Sequence, residues 1–360
     1  YGTKLLWDVH GPLYSLFMHF WSAVSSGEAW LRMPSAAAGV ITVILSYVWL
    51  RREAGEGTAL TAALMLAVNP FNIYYSQELR FYSFLTMFVV LALLSFSRFD
   101  EAPSFRSGLL LGVSLGLACL AHFMALFLCA GLLLYMAVTG RLRGDRLRYG
   151  LLAALVAIVM VSPWIYRQIF FIRRLRAMDA ARLPVVYRME GSGPSAIMAY
   201  PYSLFAFAAG FSFGPDLREL HEVTSLSALA ATYGVHIAAA ALLFGAAALA
   251  GLARLLREKR AALYLSVLIA TYGAVAVAAA LKIKVVNARY LMCAFPVFIA
   301  IVAHGIPRGK ARGAAATAAL CAMMLYSTWN YHFDARYARD DIRGAVEKIA
   351  EGERPGDLIL

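Results

Sequence analysis

Charge is scarce in this sequence. Only 15% of its 360 residues are Asp, Glu, Lys or Arg, against about 25% in an average soluble domain. The acidic sign is the scarcer, 21 residues against 33 Lys and Arg, which leaves a formal net charge of +12. Cysteine is scarce too. Cys119, Cys129, Cys293 and Cys321 all lie inside apolar runs without CxxC spacing, so they read as buried thiols and neither as disulfides nor as metal ligands. No His/Cys/Asp cluster has metal-ligand spacing, and no long-period repeat marks a solenoid. These shortages exclude a soluble globular protein, a disordered tail and a disulfide scaffold. Apolar residues are what the chain has, 61% of the total. The reading is one large multi-spanning membrane domain with little soluble mass.

A spanning helix needs about 20 mostly apolar residues. Uncharged runs of that kind are 33–50, 58–76, 81–97, 149–166, 261–281, 290–307 and 313–331. The run 107–140 is too long for one untilted helix, and Ala121-His122 is its natural break into two short spans. The run 223–253 reads as one span with an extension. Basic residues test this parse. They cluster at Arg51-Arg52, at Arg98 with Arg106, at Arg141, Arg143, Arg146 and Arg148, at Arg254, Arg257, Lys259 and Arg260, and at Arg308, Lys310 and Arg312. With 107–140 counted as two spans, all five clusters fall on one side, the cytoplasmic one by the positive-inside rule. The expectation is an all-α polytopic protein with about ten transmembrane helices. The positive charge is then a topology signal, and nucleic acid is not needed as a partner.

The opposite side receives residues 1–31, the turn 76–82, the loop 168–222, the stretch 282–289 and the tail from 332. Residues 13–24 place Leu13, Leu16, Phe17, Phe20, Trp21 and Val24 at helical spacing behind Pro12, a first-turn proline. This predicts an amphipathic helix lying on the membrane. The uncharged stretch 194–215 carries Pro194, Pro201, Pro215, Gly210 and Gly214 and reads as a broken or surface-lying hairpin. Gly112-x-x-x-Gly116 is a helix-packing motif. The domain expectation is a membrane domain over 1–331, followed at 332–360 by the beginning of an extracytoplasmic α/β domain. That beginning is a helix at 340–350, a Pro355-Gly356 turn and an apolar strand. Tyr1 is not a start methionine and no first membrane helix precedes it, so the sequence reads as a piece of a longer protein.

Charged groups at membrane depth or at its edge are functional suspects by default. Two clusters stand out: Trp7-Asp8-Val9-His10-Gly11-Pro12-Leu13-Tyr14, and Asn69-Pro70-Phe71 with Tyr74-Tyr75-Ser76-Gln77-Glu78-Leu79-Arg80-Phe81-Tyr82. The second puts an acid, an amide and a guanidinium on one tight turn. Each also has a plain structural reading. Asp8 suits a helix cap, Glu78 and Arg80 an exposed ion pair, Arg289 a snorkelling anchor, and Lys282 and Lys284 headgroup anchors.

In these motifs the chain resembles the glycosyltransferase family 39-like proteins, polyprenyl-phosphate-sugar-dependent enzymes of the C-type membrane fold. The family includes the protein O-mannosyltransferases and the lipid A aminoarabinose transferases. The shared pattern is Asp-x-His-x-Pro-Leu before an amphipathic helix, Leu31-Arg32-Met33-Pro34-Ser35 opening the next span, and Tyr-Ser-Gln-Glu-x-Arg-x-Tyr after Asn-Pro-Phe. It continues with Asn287-Ala288-Arg289-Tyr290-Leu291, Phe295-Pro296, Asp340-Asp341-Ile342-Arg343-Gly344-Ala345 and Pro355-Gly356-Asp357. Gly11 departs from it, where the family usually has a second proline, and loosens the backbone there.

The resemblance implies inverting transfer of a sugar from a polyprenyl-phosphate donor to a lipid, protein or glycan acceptor, on the extracytoplasmic face of a membrane. The Ala- and Arg-rich composition associates that membrane with the bacterial inner (plasma) membrane. The family's expected base is an aspartate in an acidic motif just after its first membrane helix, upstream of Tyr1. Within the chain, Asp8 and Glu78 are the catalytic carboxylate candidates. His10, Gln77, Arg80, Tyr82, His122 and Arg289 are the substrate-binding candidates. A phosphate leaves readily once cations hold its charge, so guanidiniums and a carboxylate suffice. No cofactor or tightly bound metal is expected, only a weakly bound divalent cation between phosphate and carboxylate. A transporter or lipid flippase is the alternative. It would favour inverted repeats and charges within spans, whereas the sequence shows no repeat and almost no charge within its spans.

Overall fold

The computed structural model describes residues 11–177, 199–216, 219, 226–281, 287–339 and 341–352. The described residues are helical, with no strand among them. In chain order the helices are α1 Pro12–Trp21, α2 Glu28–Ala54, α3 Glu56–Val68, α4 Pro70–Ser76, α5 Tyr82–Glu101, α6 Phe105–Ala121, α7 Ala125–Val138, α8 Gly144–Ala177 and α9 Ala199–Ala209. Then follow α10 Leu226–Ala240, a π-turn Ala241–Gly245, α11 Ala246–Arg257, α12 Ala261–Ala280, α13 Phe295–Gly305, α14 Lys310–Phe333 and α15 Ile342–Gly352.

Five stretches are long and apolar enough to cross a membrane: Glu28–Ala54, Tyr82–Glu101, Gly144–Phe170, Leu229–Arg257 and Ala261–Ala280. Four apolar helices are shorter: Glu56–Val68, Phe105–Ala121, Ala125–Val138 and Phe295–Gly305. With α14 they account for each run read from the sequence. The break in 107–140 falls where it was expected, with α6 ending at Ala121 and His122 as its C-cap. One expectation needs correction. The run 58–76 is not a single span, because the chain stops α3 at Val68 and starts α4 at Pro70. Apolar composition is continuous there, but proline cannot donate within a helix and favours a first-turn position.

The five basic clusters meet at one end of the bundle. Arg52 pairs with Glu101, and Arg141 and Arg146 both pair with Asp100. Arg260 donates to the Glu53 carbonyl, Arg254 to the carbonyls of His304 and Ile306, and Arg308 pairs with Glu258. Contacts thus tie the ends of α2, α5, α7, α8, α11 and α13 into one belt, which the charge pattern alone required.

Small residues set the helix spacing. A Cβ on Gly108 would come within 2.7 Å of the Tyr149 carbonyl, and one on Gly112 within 2.6 Å of the Ala153 carbonyl. The glycine stripe of α6 therefore packs directly on α8. α1 forms with Pro12 at its first position, and Leu16, Phe17 and Phe20 project outward. Its inner face docks through Tyr14, whose hydroxyl lies 3.3 Å from Ser35 Oγ and whose ring meets Phe84 edge-on at 5.2 Å. α15 matches the helix expected near 340–350, while the expected Pro355-Gly356 turn and strand lie outside the described residues, as do Asp340, Lys282 and Lys284.

Candidate active site

The turn between α4 and α5 is built by its own sequence. Asn69 caps α4 by accepting from the Asn72 amide at 2.9 Å. Its Nδ2 donates to the Phe207 carbonyl of α9 at 2.8 Å, and the residue is fully buried. Ser76 Oγ donates back to the Asn72 carbonyl at 2.7 Å. On the far side of the turn, Ser83 Oγ donates to the Tyr75 carbonyl at 2.7 Å. Residues 77–81 are thus pinned at both ends, and the polar side chains between them project from a rigid frame.

Groups from distant parts of the chain close around this turn. Arg32 of α2 donates through Nη1 to the Gln77 carbonyl at 2.9 Å and through Nη2 to Glu28 at 2.5 Å. Tyr331 of α14 donates to Gln77 Oε1 at 3.3 Å. Arg339 donates to the Tyr74 carbonyl at 2.9 Å, its guanidinium carbon 4.4 Å from the Tyr74 ring centroid and 5.5 Å from that of Tyr331. On the other flank Tyr75 and Tyr82 meet edge-to-face at 4.9 Å. Arg80 hydrogen-bonds the Tyr82 side chain. Arg289, on the 3-10 turn Ala288–Leu291, lies 5.4 Å from the Tyr290 centroid and within electrostatic reach of Tyr75 and Tyr82.

Glu78 sits between the two flanks. Its carboxylate bonds the Tyr74 side chain and acts electrostatically on Tyr14, Tyr75 and Tyr331. Burial first, then the Glu78 charge, pushes the Tyr74 phenol up to about 12, against the opposing pull of Arg339. That phenol therefore stays protonated and able to donate across the ordinary pH range. Among the described residues Glu78 makes no ion pair with Arg80, so the plain reading of that pair is not what forms. The guanidinium Nε atoms of Arg32, Arg289 and Arg339 are all buried without a hydrogen-bond partner among the described residues. Cations outnumber carboxylates around this turn: Arg32, Arg80, Arg289 and Arg339 contact its residues or the tyrosines beside them, and Glu28 is already shared by Arg32 and Arg343. Buried donors left over in such a place can hold an anion.

Of the candidate residues read from the sequence, Gln77, Glu78, Arg80, Tyr82 and Arg289 come together. His122 lies one ring away. It is buried, stacks on Phe81 at 4.5 Å and on Phe123 at 4.4 Å, and its Nδ1 accepts from the Met124 amide at 3.2 Å. Asp8 and His10 lie outside the described residues. The next residue, Gly11, is set against the end of α6, where a Cβ would come within 2.7 Å of the Ala121 carbonyl. The glycine is there for this close approach. Its loosening of the backbone, expected from the sequence, is secondary, and a proline would bring the same clash. Arg32, Tyr331 and Arg339 were not among the candidates. Arg32 stands in the Leu-Arg-Met-Pro-Ser motif and Arg339 directly precedes the Asp-Asp-Ile-Arg motif, which is the only local signal they carry.

Residues 9–166 match the sequence model of a family described as dolichyl-phosphate-mannose-protein mannosyltransferase. A mouse (Mus musculus) relative, protein O-mannosyl-transferase 1, is 29% identical over 188 residues, 48% of this chain and 24% of its own length. The fold is similar to that of the Archaeoglobus fulgidus oligosaccharyltransferase in its apo form, with a TM-score of 0.53 and 14% identity over 96% of this chain and 50% of that one. The same enzyme tethered through a disulfide to an acceptor peptide containing the NVT sequon gives 0.52 and 15% over 96% and 49%. The chain thus spans about a quarter of the mouse protein and half of the archaeal one. It has the C-type membrane glycosyltransferase fold and, over residues 9–166, the sequence pattern of the dolichyl-phosphate-mannose-protein mannosyltransferase family.

Proposed function

We propose that this chain carries the donor-binding part of an integral membrane glycosyltransferase. The enzyme moves one sugar from a polyprenyl phosphate to a hydroxyl of a lipid, protein or glycan acceptor, with inversion at the anomeric carbon. The observation that carries the reading is the convergence of Arg32, Arg80, Arg289 and Arg339 on the turn that carries Glu78 and on its tyrosines, three of them with a buried Nε that has no partner among the described residues.

Arg80 and Arg289, with Tyr82 between them, take the donor phosphate. Their charge holds the dianion that leaves with the electron pair of the broken sugar–phosphate bond. The acceptor oxygen bonds to the anomeric carbon from the opposite face and gives its proton to a carboxylate. Asp8 and Glu78 orient the acceptor, and the principal base is the family's upstream aspartate. No acid is needed at the leaving oxygen, unlike glycoside hydrolysis. The chemistry asks for no cofactor, and a divalent cation bridging phosphate and carboxylate would be loosely held. In this reading the Arg belt faces the cytoplasm of a bacterial plasma membrane and the Glu78 end faces out.

The test is transfer from a radiolabelled polyprenyl-phosphate sugar by the full-length protein, comparing Glu78→Gln and Arg80→Ala with the unmodified enzyme. A fall of tenfold or more in both is expected from the loss of a charged hydrogen bond of about 1.5–3 kcal/mol. Unchanged turnover in both variants removes the assignment.

A further inference from the structure

The Arg belt contains a cavity that the transfer reaction does not use. It measures about 350 Å³ and lies where α2 and α5 end and α6 begins. Arg52, Ser95, Arg98, Glu101, Arg106 and Leu110 line it. Tyr82 and Glu101 open and close α5, so this cavity stands a whole helix, roughly 30 Å at 1.5 Å per residue, from the Glu78 turn.

Its charge is unbalanced. Glu101 is paired with Arg52 at 2.5 Å. Among the described residues neither Arg98 nor Arg106 has an ion-pair partner. The nearby Asp100 carboxylate is already held by Arg141 and Arg146. Three guanidiniums therefore face one carboxylate. Ser104 and Ser107 close a capping box at the start of α6, so that helix presents its positive end to the same space. Leu110 of α6 is part of the lining and 45% exposed, and Phe105 and Leu109 on the same helix are 61% and 37% exposed. A basic hollow with outward-facing apolar side chains on a helix that lines it fits a ligand with an anionic head and hydrocarbon tails.

We infer that the cavity between α2, α5 and α6 binds the phosphodiester headgroup of an anionic phospholipid, with Arg98 and Arg106 as its contacts and Phe105 and Leu110 against its acyl chains. Basic pockets between membrane helices take such headgroups, each basic residue contributing about fivefold in affinity. Leu110 in the lining and the exposed Phe105 and Leu109 on the same helix favour the lipid over a soluble phosphate, which would have no use for them.

The test titrates the full chain, in micelles of a neutral maltoside, with short-chain phosphatidylglycerol, short-chain phosphatidylcholine and glycerol phosphate. Binding is read by native mass spectrometry. Phosphatidylglycerol should bind, and bind less as salt rises, since exposed charges are screened. Arg98→Gln with Arg106→Gln should weaken it about 25-fold, two factors of about five. The pair Arg98→Lys and Arg106→Lys should keep most of the affinity. Equal binding by the Gln pair and the unmodified chain overturns the site. Salt-independent phosphatidylglycerol binding by the unmodified chain overturns it as well, whether or not the variants fold. Glycerol phosphate binding as tightly as the lipid overturns the choice of a lipid. Sugar transfer in phosphatidylcholine should be the same in the Gln pair, which separates this site from the one at Glu78.

Discussion

Arg289 offers the sharpest test of the active-site geometry, because two readings of it predict opposite pairs of outcomes. Its guanidinium is tucked beside Tyr290 and near Tyr82 and Tyr75, and its Nε is buried with no partner among the described residues. An unsatisfied buried donor costs about 1–3 kcal/mol in the empty protein. Arg289→Met keeps much of the length and the apolar packing and removes that cost. The melting temperature of the variant should therefore be unchanged or higher. If the missing partner is the donor phosphate, the same change removes a charge-assisted bond of about 1.5–3 kcal/mol, or about 10- to 150-fold in kcat/KM. Arg289→Lys keeps the charge but loses the planar fork, so it should fall between the two. The assay is steady-state transfer over a range of polyprenyl-phosphate sugar, alongside thermal unfolding in the same detergent. A snorkelling anchor behaves the other way: Met would lower the melting temperature and leave kcat/KM within a factor of two. That pair of results would refute the phosphate assignment.

Three further outcomes follow from contacts around the same turn. Asn69→Ala removes the α4 cap and leaves the Phe207 carbonyl without its donor, a loss of about 2–4 kcal/mol; thermal unfolding should show it, and an unchanged midpoint would mean the cap does not hold the turn. Gly11→Ala forces a Cβ into the carbonyls at the end of α6, which should cost about 1–3 kcal/mol and displace α1; protease cleavage near residues 11–27 should rise, and equal resistance would contradict the close approach. Tyr74 carries a pH signature. Its folded pKa, raised to about 12 by burial and Glu78, lies above the unfolded value, so its contribution to stability is constant below about pH 10 and is lost as pH climbs from 10 to 12. Tyr74→Phe should flatten that part of the stability curve, and an identical alkaline limb in the variant would speak against the buried phenol.

The bundle was legible because membrane helices obey length and charge rules that act locally. Counting 107–140 as two spans was forced by keeping five basic clusters on one face, and the contacts of Arg52, Arg141, Arg260 and Arg308 show why: they join one another's segments. The break at Asn69-Pro70 was hidden by a run of apolar residues whose hydropathy does not change across it, although an Asn cap followed by a first-turn proline is a helix start. The site was legible only in part, for a different reason. Gln77, Glu78, Arg80 and Tyr82 are neighbours in sequence, so a local reading groups them. Arg32 and Tyr331 reach the same turn from 45 and 254 residues away. Alone, each looks like an interfacial side chain, and only packing reveals what it faces.

Helix length supplies the reason that polar groups can gather at the Glu78 end. α3, α7 and α13 have 13, 14 and 11 residues, roughly 20, 21 and 17 Å of helix at 1.5 Å per residue. A hydrocarbon core is about 30 Å thick. At the Arg belt these helices are held level with the long ones by the contacts of Arg141, Arg254 and Arg260. Their shortfall must then appear at the opposite end, where α3 stops at Asn69, α7 begins beside His122 and α13 begins at Phe295. The space above them is filled by α4, α9, the 3-10 turn that carries Arg289 and the end of α14. Irregular backbone is tolerated at membrane depth where protein covers it or a water-filled cavity borders it. The consequence is that the turn carrying Glu78 and the 3-10 turn carrying Arg289 lie below the level of the long helices. On the proposed function, a donor with its hydrocarbon tail in the bilayer would bring its phosphate to Arg80 and Arg289 there without lifting the lipid out. Lengthening α13 by one turn ahead of Phe295 would raise that 3-10 turn by about 5 Å. It should abolish transfer while leaving phosphatidylglycerol binding at the Arg belt unchanged, and retained transfer would show that the depth of these turns plays no part.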